Sequence, residues 1–381
     1  MDLRYSPDDD AFRAQVHAWL ADALPALPPK PDPENWPARR AYDTAWQRAL
    51  HDAGYAGLDW PAEAGGQSAS PTRHLIFLEE AERAGAPYVG TNFVGLLHAG
   101  PTIDACGTAE QKKRYLPPIL RGDEVWCQGF SEPGAGSDLA SLQTRAVRDG
   151  DHYVVTGQKI WTSHAQVADF CELLVRTDPA APKHKGISWL IMPMDLAGID
   201  VRPMRTIAGS NEFSEVFLDE VRIPAANRVG DENDGWRVAM ITFSFERGTA
   251  FVSELLASMQ ALQRLSDLAK KNGTWGDGGV RRTIGHLVAD LDALWALTKR
   301  NVTQSEATGI PGPLGSVFKL HYSEARHRIG DLAMRILGAD ALSMDAEHTK
   351  GWIHSMSITI AAGTSQIQRN IVGERILGLP K

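Results

Sequence analysis

The sequence predicts an α+β multidomain chain with a helical N-terminal region, a central antiparallel β barrel or sandwich, and a C-terminal helical bundle. Three observations carry this expectation. Apolar residues recur at helical spacing before about residue 120 and again after residue 234, short β-rich runs fill the stretch between, and Gly- or Pro-bearing segments mark the joints. A chain of 381 residues is long enough for two or three domains around their own cores.

In the first region, Phe12, Val16, Trp19 and Leu20 share one helical face, and Tyr42, Trp46 and Leu50 share another. Residues 27–37 and 60–66 carry the Pro and Gly that separate such helices. The middle holds His152-Tyr153-Val154-Val155, residues 157–161 and 187–192, Ile199-Asp200-Val201, and residues 215–221. Each run is bounded by Gly, Pro or Asp, the pattern of short strands joined by turns. From Asp234 onward, Val238, Ile241, Phe245, Leu255, Met259 and Leu262 form one apolar stripe, with Asn233 and Asp234 as capping candidates. Breaks follow at residues 272–279, at 308–315 and at Gly363. The domains are therefore expected at 1–122, 123–231 and 232–381, without internal repeats.

Composition excludes several functions. A net charge of −8 argues against a nucleic-acid partner, which calls for a basic face. Three cysteines, Cys106, Cys127 and Cys171, cannot all pair within one chain and do not have zinc-site spacing. The start is acidic at Asp8, Asp9 and Asp10 with no apolar segment after it, and no run reaches 18 apolar residues; no secretory signal, no membrane span and a cytoplasmic location are the expectations. His321 and His327, like His348 and His354, stand six apart and miss the helical spacing for zinc. No G-x-S-x-G elbow occurs. Gly134-Ala135-Gly136 lacks a third glycine and a βαβ context, and Gly276-Asp277-Gly278 fares no better, so a nicotinamide-type dinucleotide fold is not expected.

Three stretches carry chemistry. Cys127-Gln128-Gly129-Phe130-Ser131-Glu132-Pro133-Gly134-Ala135-Gly136-Ser137-Asp138 reads as an ordinary turn, or as a loop whose small residues let backbone N–H groups approach a ligand. Gly157-Gln158-Lys159-Ile160-Trp161-Thr162-Ser163 sets a flat indole beside a hydroxyl, which suits a core strand or the face of a flavin. Ala361-Ala362-Gly363-Thr364-Ser365-Gln366-Ile367-Gln368-Arg369-Asn370 interrupts a helix at Gly363. Ser365 and Gln368 are candidates for a capping box, and the new helix start offers free N–H donors, unless it is only a helix–helix corner.

Together and in this order, the three stretches resemble the acyl-CoA dehydrogenase family. The likeness extends to Asp219, Val221 and Pro224, to Gly235-Trp236, and to the tail from Gly363 to Gly378. It implies a helical domain, a β domain and a C-terminal four-helix bundle, with FAD between the last two. It places Gln128, Phe130, Ser131, Gly136 and Thr162 among the cofactor-binding residues, the first three along the flavin's pyrimidine side. Trp161 would lie against the ring, Ser163 near N5, Ser137 toward the CoA moiety, and Thr364 and Gln366 at the start of the last helix.

The resemblance also assigns the base. Its commonest position, a Glu before the Gly-Thr pair, is Ala362 here, which cannot take a proton; its backbone N–H still would hold the thioester oxygen beside Gly363. A minority of relatives carry the Glu on an early bundle helix just before an Arg, and this chain has Phe245-Glu246-Arg247 there. Glu246 lies about 100° round the helix from the stripe residue Phe245, so partial desolvation would raise its pKa and make it a better base. Ser244 and Arg247 would contact the substrate near the acyl–CoA junction. The implied partners are an acyl-CoA, an electron-transfer flavoprotein, and either further copies of the chain or a second homologous subunit. The region that grips the FAD pyrophosphate departs from the family pattern: Arg281-Arg282-Thr283-Ile284-Gly285 has Ile for the usual Phe, and Arg335-Ile336-Leu337-Gly338-Ala339-Asp340-Ala341 lacks a Gln and two glycines. A catalytically silent partner subunit, or an oxidase or monooxygenase on the same fold, are the alternatives.

Overall fold

The computed structural model describes residues 5–246, 251–308, 314–344 and 347–380, with the backbone alone for Glu246 and residues 305–308. By compactness the chain forms two units. One holds residues 21–69 and 86–246; the other holds residues 1–20, 70–85 and 247–381.

The first unit contains α2 (Trp36–Asp52), α4 (Gly100–Cys106), α5 (Ala109–Arg121), α6 (Gly235–Glu246) and one eight-stranded sheet. Local chemistry fixes the helix starts. The Asn35 side chain caps α2 by accepting from Ala38 N, and Thr108 with Gln111 closes a capping box on α5. The strands are β1 (Trp126–Gly129), β2 (Arg145–Asp149), β3 (His152–Ser163), β4 (Phe170–Arg176), β5 (Ile187–Pro193), β6 (Ile199–Met204), β7 (Phe213–Pro224) and β8 (Arg228–Val229). They run in the order β6-β7-β3-β2-β4-β5-β8, with β1 paired to β4.

Most pairs are antiparallel, as expected. Two are not: β1 runs parallel to β4, from Trp126 opposite Phe170 to Gly129 opposite Leu173, and β2 meets β4 in parallel at Arg145 and Arg176. The two predicted runs at 152–155 and 157–161 form the single long strand β3. The sheet core gathers Tyr153, Val155, Leu173, Val175, Leu190, Met192, Val216, Leu218, Val221 and Ile223. Cys127 and Cys171 are in-register neighbours on β1 and β4, and all three cysteines are free thiols.

The second unit is helical: α1 (Pro7–Ala23), α3 (Pro71–Arg83), α7 (Val252–Asn272), α8 (Gly278–Thr308), α9 (Leu314–Leu337), α10 (Glu347–Ile358) and α11 (Ser365–Arg375). Leu255, Leu262, Leu265, Leu287, Leu291, Tyr322, Ile329 and Leu332 build its core from α7, α8 and α9, each at helical spacing. α10 and α11 pack along α9. Two elements from the first hundred residues join this unit. Leu75 of α3 meets Val252 and Val302, and Arg13 of α1 holds Glu79 and Glu80 of α3 at 2.5 Å each. Two of the predicted breaks are present: Gly273 closes α7 in the left-handed conformation (φ 84°), and Gly363 separates α10 from α11; most of the break expected at 308–315 lies outside the described residues. No helix among the described residues is long and apolar enough to cross a membrane.

Candidate functional site

In the sheet-bearing unit, the loop after β1 is held from beneath by a buried ion pair. Lys159 of β3 is fully buried, and its Nζ donates to the Phe130 carbonyl at 3.1 Å and to Glu132 Oε1 at 2.8 Å. The Glu132 carboxylate also accepts from Gln143 N at 2.6 Å and Thr144 N at 2.8 Å. Burial pushes the Glu132 carboxyl up, but the Lys159 charge and these hydrogen bonds outweigh it and hold the group below its usual range. Burial pulls the Lys159 ammonium down, with Glu132 opposing. This pair thereby fixes the backbone of Phe130 and Ser131. Gly129 is required next to it, since a Cβ there would come within 2.8 Å of Leu173 Cδ1 and 2.9 Å of Cys171 Sγ.

Sequence reasoning missed Glu132 and Lys159 as a pair, although a signal existed. Strand alternation puts Lys159 on the same inward face as Tyr153 and Val155, and a lysine there demands a partner.

At the end of β3 the backbone bulges. Lys159 faces Val216 and Thr162 faces Ser214, so Ile160 and Trp161 stand opposite Glu215 alone. Trp161 adopts φ 61°, a left-handed conformation that costs a bulky residue on the order of 1–3 kcal/mol. Its side chain is nonetheless 58% exposed, held edge-to-face by Phe213 at 5.8 Å. Strain combined with an exposed indole is the mark of a surface kept for a ligand. The adjoining Thr162 is fully buried and its hydroxyl finds no partner among the described residues; Ser163 is half-buried. His164, also left-handed at φ 59°, anchors the strand end through its N–H to the Glu212 carbonyl at 2.9 Å. Enclosure by Trp36 and Phe93, with Arg39 nearby, pulls its imidazole down to about 4, so it is neutral at pH 7.

The other expected residues of this unit fall as follows. Gln128 is half-buried, and Phe130 is buried edge-to-face on Phe243 of α6 at 5.8 Å. Ser131 is half-buried and its carbonyl accepts from Ile160 N at 3.0 Å, tying the loop to β3. Gly136 and Ser137 are exposed at the loop tip. On α6, Val238, Ala239 and Thr242 face inward, and Thr242 Oγ1 bonds Thr102 Oγ1 of α4 at 2.9 Å. The stripe expected to continue through Phe245 does not stay buried: Ser244 is exposed and Phe245 is 38% exposed at the helix end. Glu246 is the last residue of α6; its side chain, and all of Arg247, lie outside the described residues. Of the expected caps, Asp234 directly precedes α6, its carbonyl accepting from Val238 N at 3.3 Å while its side chain binds Arg237; Asn233 Oδ1 instead accepts from Thr177.

In the helical unit, the connection from α10 to α11 takes two consecutive left-handed residues, Ala362 (φ 51°) and Gly363 (φ 85°). Lys319 of α9 clamps it from within, its buried Nζ donating to Ile358 O at 3.0 Å and Gly363 O at 2.7 Å. That burial pulls the Lys319 ammonium down to about 8. The expected Ser365–Gln368 capping box is absent. Thr364 is the N-cap, accepting from Ile367 N at 3.2 Å, while Gln368 Nε2 turns back to the carbonyls of Ala362 at 3.0 Å and Gly363 at 3.2 Å. The reason is geometric: the left-handed turn brings the Ala362 carbonyl and the Gly363 carbonyl, already shared with Lys319, within reach of Gln368, and it makes Thr364 rather than Ser365 the residue before the helix. The carbonyls are thus spent inward, and no backbone acceptor among the described residues takes the N–H of Ala362 or Gly363. Removing the cap with Thr364→Ala is expected to cost about 1 kcal/mol, read as a lower midpoint in chemical denaturation. Gln366 is exposed beside this turn.

Arg281 is exposed near the start of α8, and its guanidinium returns to the carbonyls of Trp275 at 2.5 Å and Gly276 at 3.1 Å. Arg335 pairs with Asp277 at 2.6 Å in the same corner.

Comparison with known proteins places the fold in a family. Residues 6–123, 127–221 and 233–377 match the profiles for the acyl-CoA dehydrogenase N-terminal, middle and C-terminal domains. The acyl-CoA dehydrogenase IpdE1 of Mycobacterium tuberculosis is 39% identical over 386 residues, covering 98% of both chains. Among solved structures, the Tcur3481-Tcur3483 steroid ACAD superposes with a TM-score of 0.86 at 32% identity over 100% of both chains. The ChsE4-ChsE5 complex from Mycobacterium tuberculosis gives 0.83 at 33% identity, again over 100% of both chains. Three domain matches that together span nearly the whole chain, and a relative 39% identical over 98% of both chains, show that the chain belongs to the acyl-CoA dehydrogenase family.

Proposed function

We propose that the chain catalyses FAD-dependent α,β-dehydrogenation of an acyl-CoA thioester to the trans-2-enoyl-CoA. The observation that carries this reading is Trp161, held in a left-handed bulge with its indole exposed next to the buried hydroxyl of Thr162, which has no partner among the described residues. A planar heterocycle with hydrogen-bonding edges fits that combination, so the residues present suit a flavin. Gln128, Phe130, Ser131, Thr162 and Ser163 would hold its ring, Gly136, Arg281, Thr364 and Gln366 the remainder of FAD. When bound, FAD supplies the hydride acceptor for the substrate β carbon.

The chain's own groups supply the rest. Glu246 takes the α proton. The Ala362 N–H donates to the thioester oxygen, where negative charge grows as that proton leaves. Ser244, Arg247 and Gly363 are the residues assigned to substrate contact by the family resemblance, and Ser137 is assigned to the CoA moiety. An electron-transfer flavoprotein would be the electron acceptor of the loaded enzyme. The likeness to a steroid dehydrogenase supports a bulky, steroid-derived acyl group.

A second homologous subunit completes the assembly. The Arg335–Asp277 pair occupies the corner beside Arg281, where the family's usual Gln and two glycines are missing, so this copy is poorly equipped to serve a second copy's cofactor. The two-name complex among its structural relatives accords with that arrangement. The test is recovery of the tagged chain from its own cells, with subunit masses, bound FAD and product measured. The expected result is a yellow assembly of two homologous chains that forms enoyl-CoA from steroid-side-chain thioesters at least tenfold faster than from short linear ones. A colourless protein would make it a silent partner, and stoichiometric hydrogen peroxide under air would make it an oxidase.

A further inference from the structure

Glu172 is an unexpected residue on β4: a fully buried carboxylate whose Oε2 has no partner among the described residues. Its other oxygen, Oε1, accepts from Gln128 Nε2 at 2.7 Å, and the two residues are register partners on the parallel strands β1 and β4, which puts them on one face of the sheet. His98, on the π-helical turn Gly95–Ala99, brings Nδ1 to 3.4 Å from the same Gln128 nitrogen and to 3.6 Å from Glu172 Oε1. π-Turns of this kind concentrate at functional sites.

A carboxylate accepts and an amide NH2 donates, so Glu172 leaves the Gln128 amide only one favourable orientation. One N–H goes to Glu172, the second points toward His98, and the nitrogen end is committed. The oxygen end is left over. No described residue donates to Gln128 Oε1, and it is not among the buried unpartnered atoms.

Building on the dehydrogenase reading above, we infer that Glu172 is a positioning residue that locks Gln128 with its carbonyl oxygen outward, as an acceptor for the flavin N3–H. The pyrimidine edge of a flavin alternates carbonyl, N–H, carbonyl; N3–H is its only donor. An amide presenting oxygen matches that donor, whereas the flipped amide would set its NH2 against it. Glu172 thus selects which edge atom Gln128 recognises without touching the cofactor itself. Reduction makes the pyrimidine ring more electron-rich and N3–H a weaker donor, so an acceptor fixed there, backed by a buried negative charge, favours oxidised flavin over reduced.

The experiment measures FAD dissociation constants and midpoint potentials of the native assembly and its Glu172→Gln variant, a replacement of the same shape that cannot dictate the amide orientation. The expected result is roughly tenfold weaker binding of oxidised FAD. If binding of reduced FAD is unchanged, this corresponds to a rise of about 30 mV in the two-electron potential. Gln128→Leu, at a half-buried position, should weaken FAD by a similar factor and covers the case in which Glu172→Gln does not fold. In a yellow wild-type assembly, a folded Glu172→Gln variant at wild-type FAD affinity and potential would overturn this inference alone, and so would Gln128→Leu at wild-type affinity. A wild-type assembly without flavin would overturn the dehydrogenase reading together with it.

Discussion

Glu246→Gln is expected to retain FAD while losing dehydrogenation by at least about 10²-fold, within the 10²–10⁴ range of general-base catalysis. The side chain keeps its shape and loses only the ability to take a proton. Ala362, in left-handed backbone at the start of the Gly363-Thr364 turn, has a side chain that cannot take a proton in its place. The measurement is single-turnover reduction of bound flavin by an acyl-CoA under anaerobic conditions, with flavin content determined beforehand. A variant that reduces its flavin at the wild-type rate would remove Glu246 from the mechanism, and one that loses FAD would give the residue a structural role instead.

Lys159→Met is expected to destabilise the sheet-bearing unit by about 3–5 kcal/mol, the cost of leaving one charge of a buried pair without its partner. Glu132 would stay beneath the loop with its hydrogen bonds from Gln143 and Thr144 but without the cation that outweighs its burial. The sign of the pH response separates this from a simple packing loss. In the wild type the Glu132 carboxyl is held below its ordinary range, so its contribution is present above the unfolded carboxylate pKa and is lost as pH falls through the lower folded value. In the variant, burial without Lys159 favours the protonated acid, so acidification from neutrality toward the carboxylate range should recover part of the lost stability. Chemical denaturation at several pH values reads both trends; a variant as stable as the wild type at neutral pH would show that the pair does not hold the loop. Glu132→Leu added to Lys159→Met should restore part of the stability, since it removes the stranded charge.

The helical regions were legible because their apolar periodicity survives in the structure: Val16 and Leu20, Trp46 and Leu50, and Leu255 and Leu262 are all buried as their spacing predicts. β4 was not legible. Its residues from Cys171 to Arg176 are buried on both faces, so no alternation marks them, and Glu172 breaks the apolar run that would otherwise signal a strand. β1, four residues long, is too short to show a pattern at all. The association of α1 and α3 with the C-terminal helices depends on Arg13, Glu79, Glu80, Leu75 and Val302, partners far apart in sequence whose pairing no local window contains.

At the site, the exposed surfaces were easier to find than what supports them. Trp161, Ser131 and Thr364 stand in motifs dense in turn residues, whereas Lys159, Glu172 and Lys319 are single charged residues in apolar surroundings. Lys159 breaches the alternation of its strand and Lys319 the apolar face of its helix, whereas Glu172 sits in a strand that shows no pattern to breach; each of the three binds backbone or side-chain groups from inside. The error at Ser365 and Gln368 has a related origin: the capping signature is a local rule, and the left-handed pair Ala362–Gly363 shifted the helix start to Thr364 and turned Gln368 to other acceptors.

Anaerobic titration of the purified, FAD-loaded assembly with a steroid-side-chain CoA thioester tests the proposed chemistry most directly. Bleaching of the oxidised flavin band with one trans-2-enoyl-CoA formed per flavin is the predicted result. A flavin that stays oxidised through a full panel of branched, linear and steroid-derived thioesters would contradict it.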